Sequence, residues 1–61
     1  MNVYVLSVAH SDQPVIGVYE SKALAMMATP GRPRWIEGDR LTVGTSGDGL
    51  KVYRVERMEV R

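Results

Sequence analysis

Two runs, Val3-Tyr4-Val5-Leu6-Ser7-Val8-Ala9 and Val15-Ile16-Gly17-Val18-Tyr19-Glu20, decide how this chain folds. Both are rich in the β-branched and aromatic residues that fit a pleated surface. Between them, His10-Ser11-Asp12-Gln13-Pro14 has turn chemistry: Asp12 can bond its own backbone and Pro14 fixes φ. A hairpin is the simplest arrangement. Pairing Ala9 with Val15 sets Ser7 opposite Gly17, Val5 opposite Tyr19, Leu6 opposite Val18 and Val8 opposite Ile16. In that register one face holds Tyr4, Leu6, Val8, Ile16 and Val18, and the other holds Val3, Val5, Val15 and Tyr19 around the small Ser7 and Gly17. Both faces are apolar, and strands apolar on both sides are normally buried on both.

Downstream of the hairpin, Ser21 has the chemistry of a helix N-cap, and Lys22-Ala23-Leu24-Ala25-Met26-Met27-Ala28 contains strong helix formers with no β-branched residue. Thr29-Pro30-Gly31 ends it. At 100° per residue Ala23, Leu24 and Met27 share one face with Met26 on its flank, so the helix is expected to lay Leu24 and Met27 on a sheet. The prolines and glycines between 30 and 38 predict an irregular segment over Arg32–Gly38. Alternation then resumes, with Leu41 and Val43 on one face and Arg40 and Thr42 on the other. Thr45-Ser46-Gly47-Asp48-Gly49 suits a hairpin loop, and the return strand from Leu50 to about Met58 turns Tyr53 and Val55 inward and Arg54 and Glu56 outward. The expected fold is α+β, ββαββ, an antiparallel sheet with one short helix on one face. A small SH3-like β-barrel is the alternative, suggested by the Gly38-Asp39 turn feeding an alternating strand.

A chain of 61 residues holds a single domain, residues 1–61, and a domain of this size buries only about 60% of the surface its unfolded chain exposes. Without cysteine and with one histidine, disulfides and a structural zinc are ruled out as supports, which leaves association with another chain. No cofactor is expected. The N-terminal apolar run lacks a basic leader and breaks at Ser7 and His10, far short of the roughly 20 residues that span a bilayer, so the expected localisation is cytoplasmic, without membrane association. Net charge is +1, but residues 1–31 carry only Asp12, Glu20 and Lys22, while residues 32–61 carry seven basic and five acidic side chains.

At Val3-Tyr4-Val5-Leu6, Ile16-Gly17-Val18-Tyr19, Ser21 and the alanines that follow, the chain resembles small uncharacterised phage and bacterial domains that contain a ββα unit, over residues 3–28. The resemblance implies a phage accessory protein, a class in which binding and inhibiting a host protein is a common role. It assigns no catalytic or binding residue.

His10, Ser11 and Asp12 are the residue types of a hydrolytic triad, yet neighbours in a turn do not converge on one substrate atom, and a polar turn is the expectation. The glycine-rich stretch Gly44–Gly49 lacks the Lys-Ser/Thr pair and following helix of a phosphate-binding loop. No catalytic or metal site is therefore expected, and the protein is read as a non-enzymatic interaction module, a homo-oligomer such as a homodimer or the binder of another protein. With Leu24 and Met27 matched to the larger side chains of one hairpin face, the other face leaves Val3, Val5, Val15 and Tyr19 as the expected interface, joined by Met26, whose thioether suits an adaptable contact. The competing expectation is that the segment 29–38, with Trp35 and Ile36, folds over that face. The alternative function is weak nucleic-acid binding: Arg32, Arg34 and Arg40 on phosphates beside Trp35, on which a base can stack, with Lys51, Arg54 and Arg57 extending the surface.

Overall fold

The computed structural model describes residues 1–9 and 15–60. Residues 10–14, where the sequence predicts a turn and which hold the His10-Ser11-Asp12 constellation, lie outside the described residues. The elements run β1 (Asn2–Val8), β2 (Val15–Tyr19), α1 (Lys22–Ala28), β3 (Arg34–Ile36), β4 (Leu41–Thr45) and β5 (Val52–Glu59). All five strands form one antiparallel sheet in the order β2-β1-β5-β4-β3. The fold is α+β with one helix on one face, as the sequence suggested, and the sheet stays open between β2 and β3 and does not close into a barrel.

β5 enters the middle of the sheet. It pairs with β1 from Asn2↔Glu59 to Val8↔Tyr53 and with β4 from Leu41↔Glu56 to Thr45↔Val52. Residues directly opposite each other share a face, so Gly17, Leu6, Val55 and Thr42 form one transverse rung and Val8, Tyr53, Gly44 and Trp35 the next. The helix packs on β1, β2 and β5 over this face. Tyr53 and Val55 point inward as the alternation indicated, and with Leu6 and Ala25 they make the buried core. Tyr4, Val8, Tyr19, Met26 and Trp35 pack around it.

Four features correct or complete these expectations. The hairpin register is Tyr4↔Tyr19, Val5↔Val18, Leu6↔Gly17 and Ser7↔Val15, with a bulge between Leu6 and Ser7 that absorbs one residue of β2. A slip of one residue moves a side chain to the opposite face, so Tyr19 joins the helix side and Val18 takes its place on the other. The cause is visible at Gly17: a Cβ there would meet the Tyr19 ring, with the hydroxyl oxygen 2.8 Å away, so the glycine makes room for the ring on the core side. Second, β4 keeps Leu41 and Val43 on one face and Thr42 on the other, as the alternation indicated, and it is Thr42 and Gly44 that turn inward while Leu41 stays exposed.

Third, the helix is rotated from its expected setting. Ala25 and Thr29 are buried and Met26 is packed on the core, whereas Leu24 is 49% and Met27 80% exposed. A helix lying close to the sheet takes its smallest residue at the contact, and Ala25 offers that. Ser21 caps the helix, its hydroxyl accepting the Leu24 N–H at 3.1 Å, and the Thr29 hydroxyl donates to the Ala25 carbonyl at 3.0 Å. Lys22 Nζ lies 3.6 Å from Glu37 Oε1, which ties the first turn to the segment after β3. Fourth, the segment 32–38 is not wholly irregular, because Arg34–Ile36 pairs with β4 as an edge strand between its flanking prolines and glycine.

These placements give opposite outcomes for two leucines. Leu6→Ala is expected to destabilise the fold by about 2–5 kcal/mol through the cavity it leaves, and Leu24→Ala by less than about 0.5 kcal/mol. Urea denaturation followed by circular dichroism checks the pair.

Candidate functional site

The face of the sheet opposite the helix is uncovered among the described residues. The alternation that buries Leu6, Val55 and Thr42 sends Val3, Val5 and Ser7 of β1, Val52, Arg54, Glu56 and Met58 of β5, and Leu41, Val43 and Thr45 of β4 to this side. The hairpin register adds Val15 and Val18, and β3 adds Arg34 and Ile36, the latter 72% exposed. Two rungs cross the face. One reads Val18, Val5, Glu56, Leu41, and the other Val15, Ser7, Arg54, Val43, Ile36. The surface is mostly apolar on both flanks, with an acid and a base side by side on its central strand and Arg34 at the end of the β3 edge. Among the described residues neither Arg54 nor Glu56 has an ion-pair partner within 4 Å.

Of the expected interface residues, Val3, Val5 and Val15 lie together on this face. Tyr19 and Met26 do not: both pack against the core on the helix side. Val18, Leu41, Ile36 and Met58 were missed, and the signal for them was alternation outward from Tyr53 and Val55 once β5 is placed between β1 and β4. The segment 29–38 does not fold over the face, since Trp35 lies on the helix side, where its ring covers Gly44. A Cβ on Gly44 would stand 2.7 Å from the ring carbons Cε3 and Cζ3, so only glycine admits this close approach. Gly44→Ala is expected to displace the indole, shift its fluorescence to the red and cost about 1–3 kcal/mol of stability. Emission spectra and urea titration of the same samples test this.

The residues of the nucleic-acid alternative are not brought together. Arg34 and Trp35 are adjacent in a strand and point to opposite faces. Arg32 and Arg34 line a groove of about 550 Å³ with the loop Thr45–Gly49. Arg40 precedes β4 while Arg34 pairs with its last residue, which separates them by about 17 Å of strand. Arg40 instead adjoins Asn2, Arg57 and Glu59. Arg54 is on the open face, whereas Arg57, opposite Tyr4, is on the other. Among the described residues no three His, Asp or Glu side chains gather as metal ligands.

The groove's loop is fastened by its own side chains. Asp48 Oδ1 accepts the Ser46 hydroxyl and, at 3.0 Å, the Leu50 N–H, while the Ser46 Oγ accepts the Lys51 N–H at 3.0 Å. The Ser46 hydroxyl first, and the Leu50 N–H second, hold the Asp48 carboxyl below its ordinary value by stabilising the carboxylate. A carboxyl depressed in the folded state stabilises the loop above its unfolded pKa of about 3.9, and that contribution is lost as the pH falls through the folded value. Carboxyl-carbon NMR is expected to show Asp48 titrating below the ordinary aspartate range, and Ser46→Ala to move it back up.

No helix among the described residues is long and apolar enough to cross a membrane. No protein-family model, curated protein or solved structure matches the chain.

Proposed function

We propose that the chain is a small non-enzymatic protein-interaction module, acting in the cytoplasm, that binds another protein chain through the open face of its sheet. One observation carries the reading: nine apolar side chains, Val3, Val5, Val15, Val18, Ile36, Leu41, Val43, Val52 and Met58, lie on a face that no described segment covers. Contiguous apolar surface of this kind marks binding sites. The size of the domain supports it as well, because a core with four buried apolar residues among those described leaves stability that association would raise. The resemblance of residues 3–28 to phage and bacterial ββα domains extends the reading to an accessory protein that binds and inhibits a host protein.

Nucleic-acid binding is the second reading, favoured by the groove that holds Arg32 and Arg34. Asp48 in the same groove opposes it, and Trp35, covered on the other side of the sheet, has no part in it. Binding through two arginines falls steeply with salt.

Val5 stands near the middle of the face, between Val18 and Glu56. Val5→Arg is expected to keep the fold and to weaken association by about 3 kcal/mol or more, over a hundredfold in Kd, since an unpaired charge at a dry interface loses its water. Light scattering and affinity capture, run in parallel on wild type and variant with circular dichroism as the folding control, measure it. A folded variant with unchanged mass and unchanged captured proteins refutes the proposal.

A further inference from the structure

The charges at the centre of the open face specify what can lie on it. Arg54 and Glu56 are two residues apart on β5 and point the same way, with Ser7 and Val43 beside the first and Val5 and Leu41 beside the second. Covering them strips water from both, which is tolerated only if each meets an opposite charge. An occupant must therefore present a cation over Glu56 and an anion over Arg54, about 7 Å apart, set in a mostly apolar surface, with Arg34 away from these two at the β3 edge.

The chain itself carries that pattern. We infer that the occupant of the open face is a second copy of this chain, stacked sheet on sheet about a two-fold axis that runs across the strands between Arg54 and Glu56. The inference rests on the open face being the protein's binding surface. Such an axis reverses the strand direction and keeps each strand over its own counterpart. Arg54 of each copy then meets Glu56 of the other, twice over. The flanks match by the same operation: Val18 lies over Val15, Val5 over Ser7 and Leu41 over Val43. A two-fold axis along the strands would instead place Arg54 on Arg54 and Glu56 on Glu56, and like charges in a dry interface are strongly disfavoured.

Size agrees with this occupant. The molecule measures 37 × 24 × 16 Å, and in a two-layer fold the shortest dimension is the stacking direction. The broad face is thus of the order of the roughly 800 Å² per partner that a standard stable interface uses. Aligned stacking of twisted sheets, with strands within about 30° of each other, keeps the central pairs in reach.

The test reverses the charges. Wild type is expected to be a dimer by sedimentation equilibrium. Arg54→Glu and Glu56→Arg each turn two attractions into two repulsions and are expected to raise the dimer Kd at least about tenfold. The chain with both reversals is expected to regain the dimer, and an equimolar mixture of the two single variants to form the heterodimer, seen by native mass spectrometry with one partner tagged. Arg54→Gln and Glu56→Gln, which remove charge without reversing it, are expected to weaken the dimer less and serve where a reversal unfolds the chain. A dimer indifferent to both reversals, or single losses that neither the double reversal nor mixing restores, overturns the inference. So does a wild type that is monomeric at its highest soluble concentration. If that monomer captures another protein in a Val5-dependent way, the open face remains the binding surface and only the second copy is refuted. If Val5→Arg changes nothing either, both readings fall.

Discussion

Leu6 and Val55 face each other across the β1–β5 ladder with almost no surface left in water, and the rest of the domain is arranged around that contact. Gly17 and Thr42 extend the rung on either side. The helix, with seven residues, is too short to persist alone and owes its existence to lying on this rung through Ala25. Tyr53 adds the next rung, opposite Val8 and Gly44. Each of these contacts requires β5 between β1 and β4. Remove the last strand and Leu6 has neither its partner nor its cover.

A helix this short covers only the middle of a five-stranded sheet, and the sides are closed by a different device. Near each edge an aromatic ring lies over a glycine: Tyr19 over Gly17 in β2, and Trp35, from β3, over Gly44 in β4. The missing side chain leaves a depression that the ring fills, so two residues do the work of a second helix. The chain thereby completes one core face and, among the described residues, leaves the other without cover, which concentrates its remaining apolar surface in one place.

The strand and helix limits around residues 2–28 could be read from the sequence, because alternation, Ser21 and Thr29-Pro30-Gly31 are local signals. The inward setting of Tyr53 and Val55 was legible for the same reason. Register was not: Gly17 opposite Leu6 depends on where the Tyr19 ring goes, and a slip of one residue moved Tyr19 and Val18 between faces. The helix orientation was misread because hydrophobicity ranks Leu24 and Met27 above Ala25, while close approach to the sheet favours the small residue. Thr42 and Gly44 look outward-facing by polarity, yet one extends the Val55 rung and the other makes room for Trp35. The open face was half legible: Val3, Val5 and Val15 follow from β1 and β2 alone, whereas Ile36, Leu41 and Met58 join only when distant segments pair. The expected cluster of Arg32, Arg34, Trp35 and Arg40 dissolved because proximity along an extended strand alternates sides.

The central ladder joins the first strand to the last, so nearly the whole chain separates the partners of its most buried contact. Closing so long a loop before any reward is slow. During synthesis the hairpin β1–β2 and the helix emerge first, and the inner edge of β1 waits with its backbone groups unpaired until β5 arrives. An open edge of that kind is a template for any passing strand. The interval between the birth of β1 and the birth of β5 is therefore when this protein is most exposed to mispairing, and a second nascent copy, offering an identical β5, is the competitor best matched to take the vacant position.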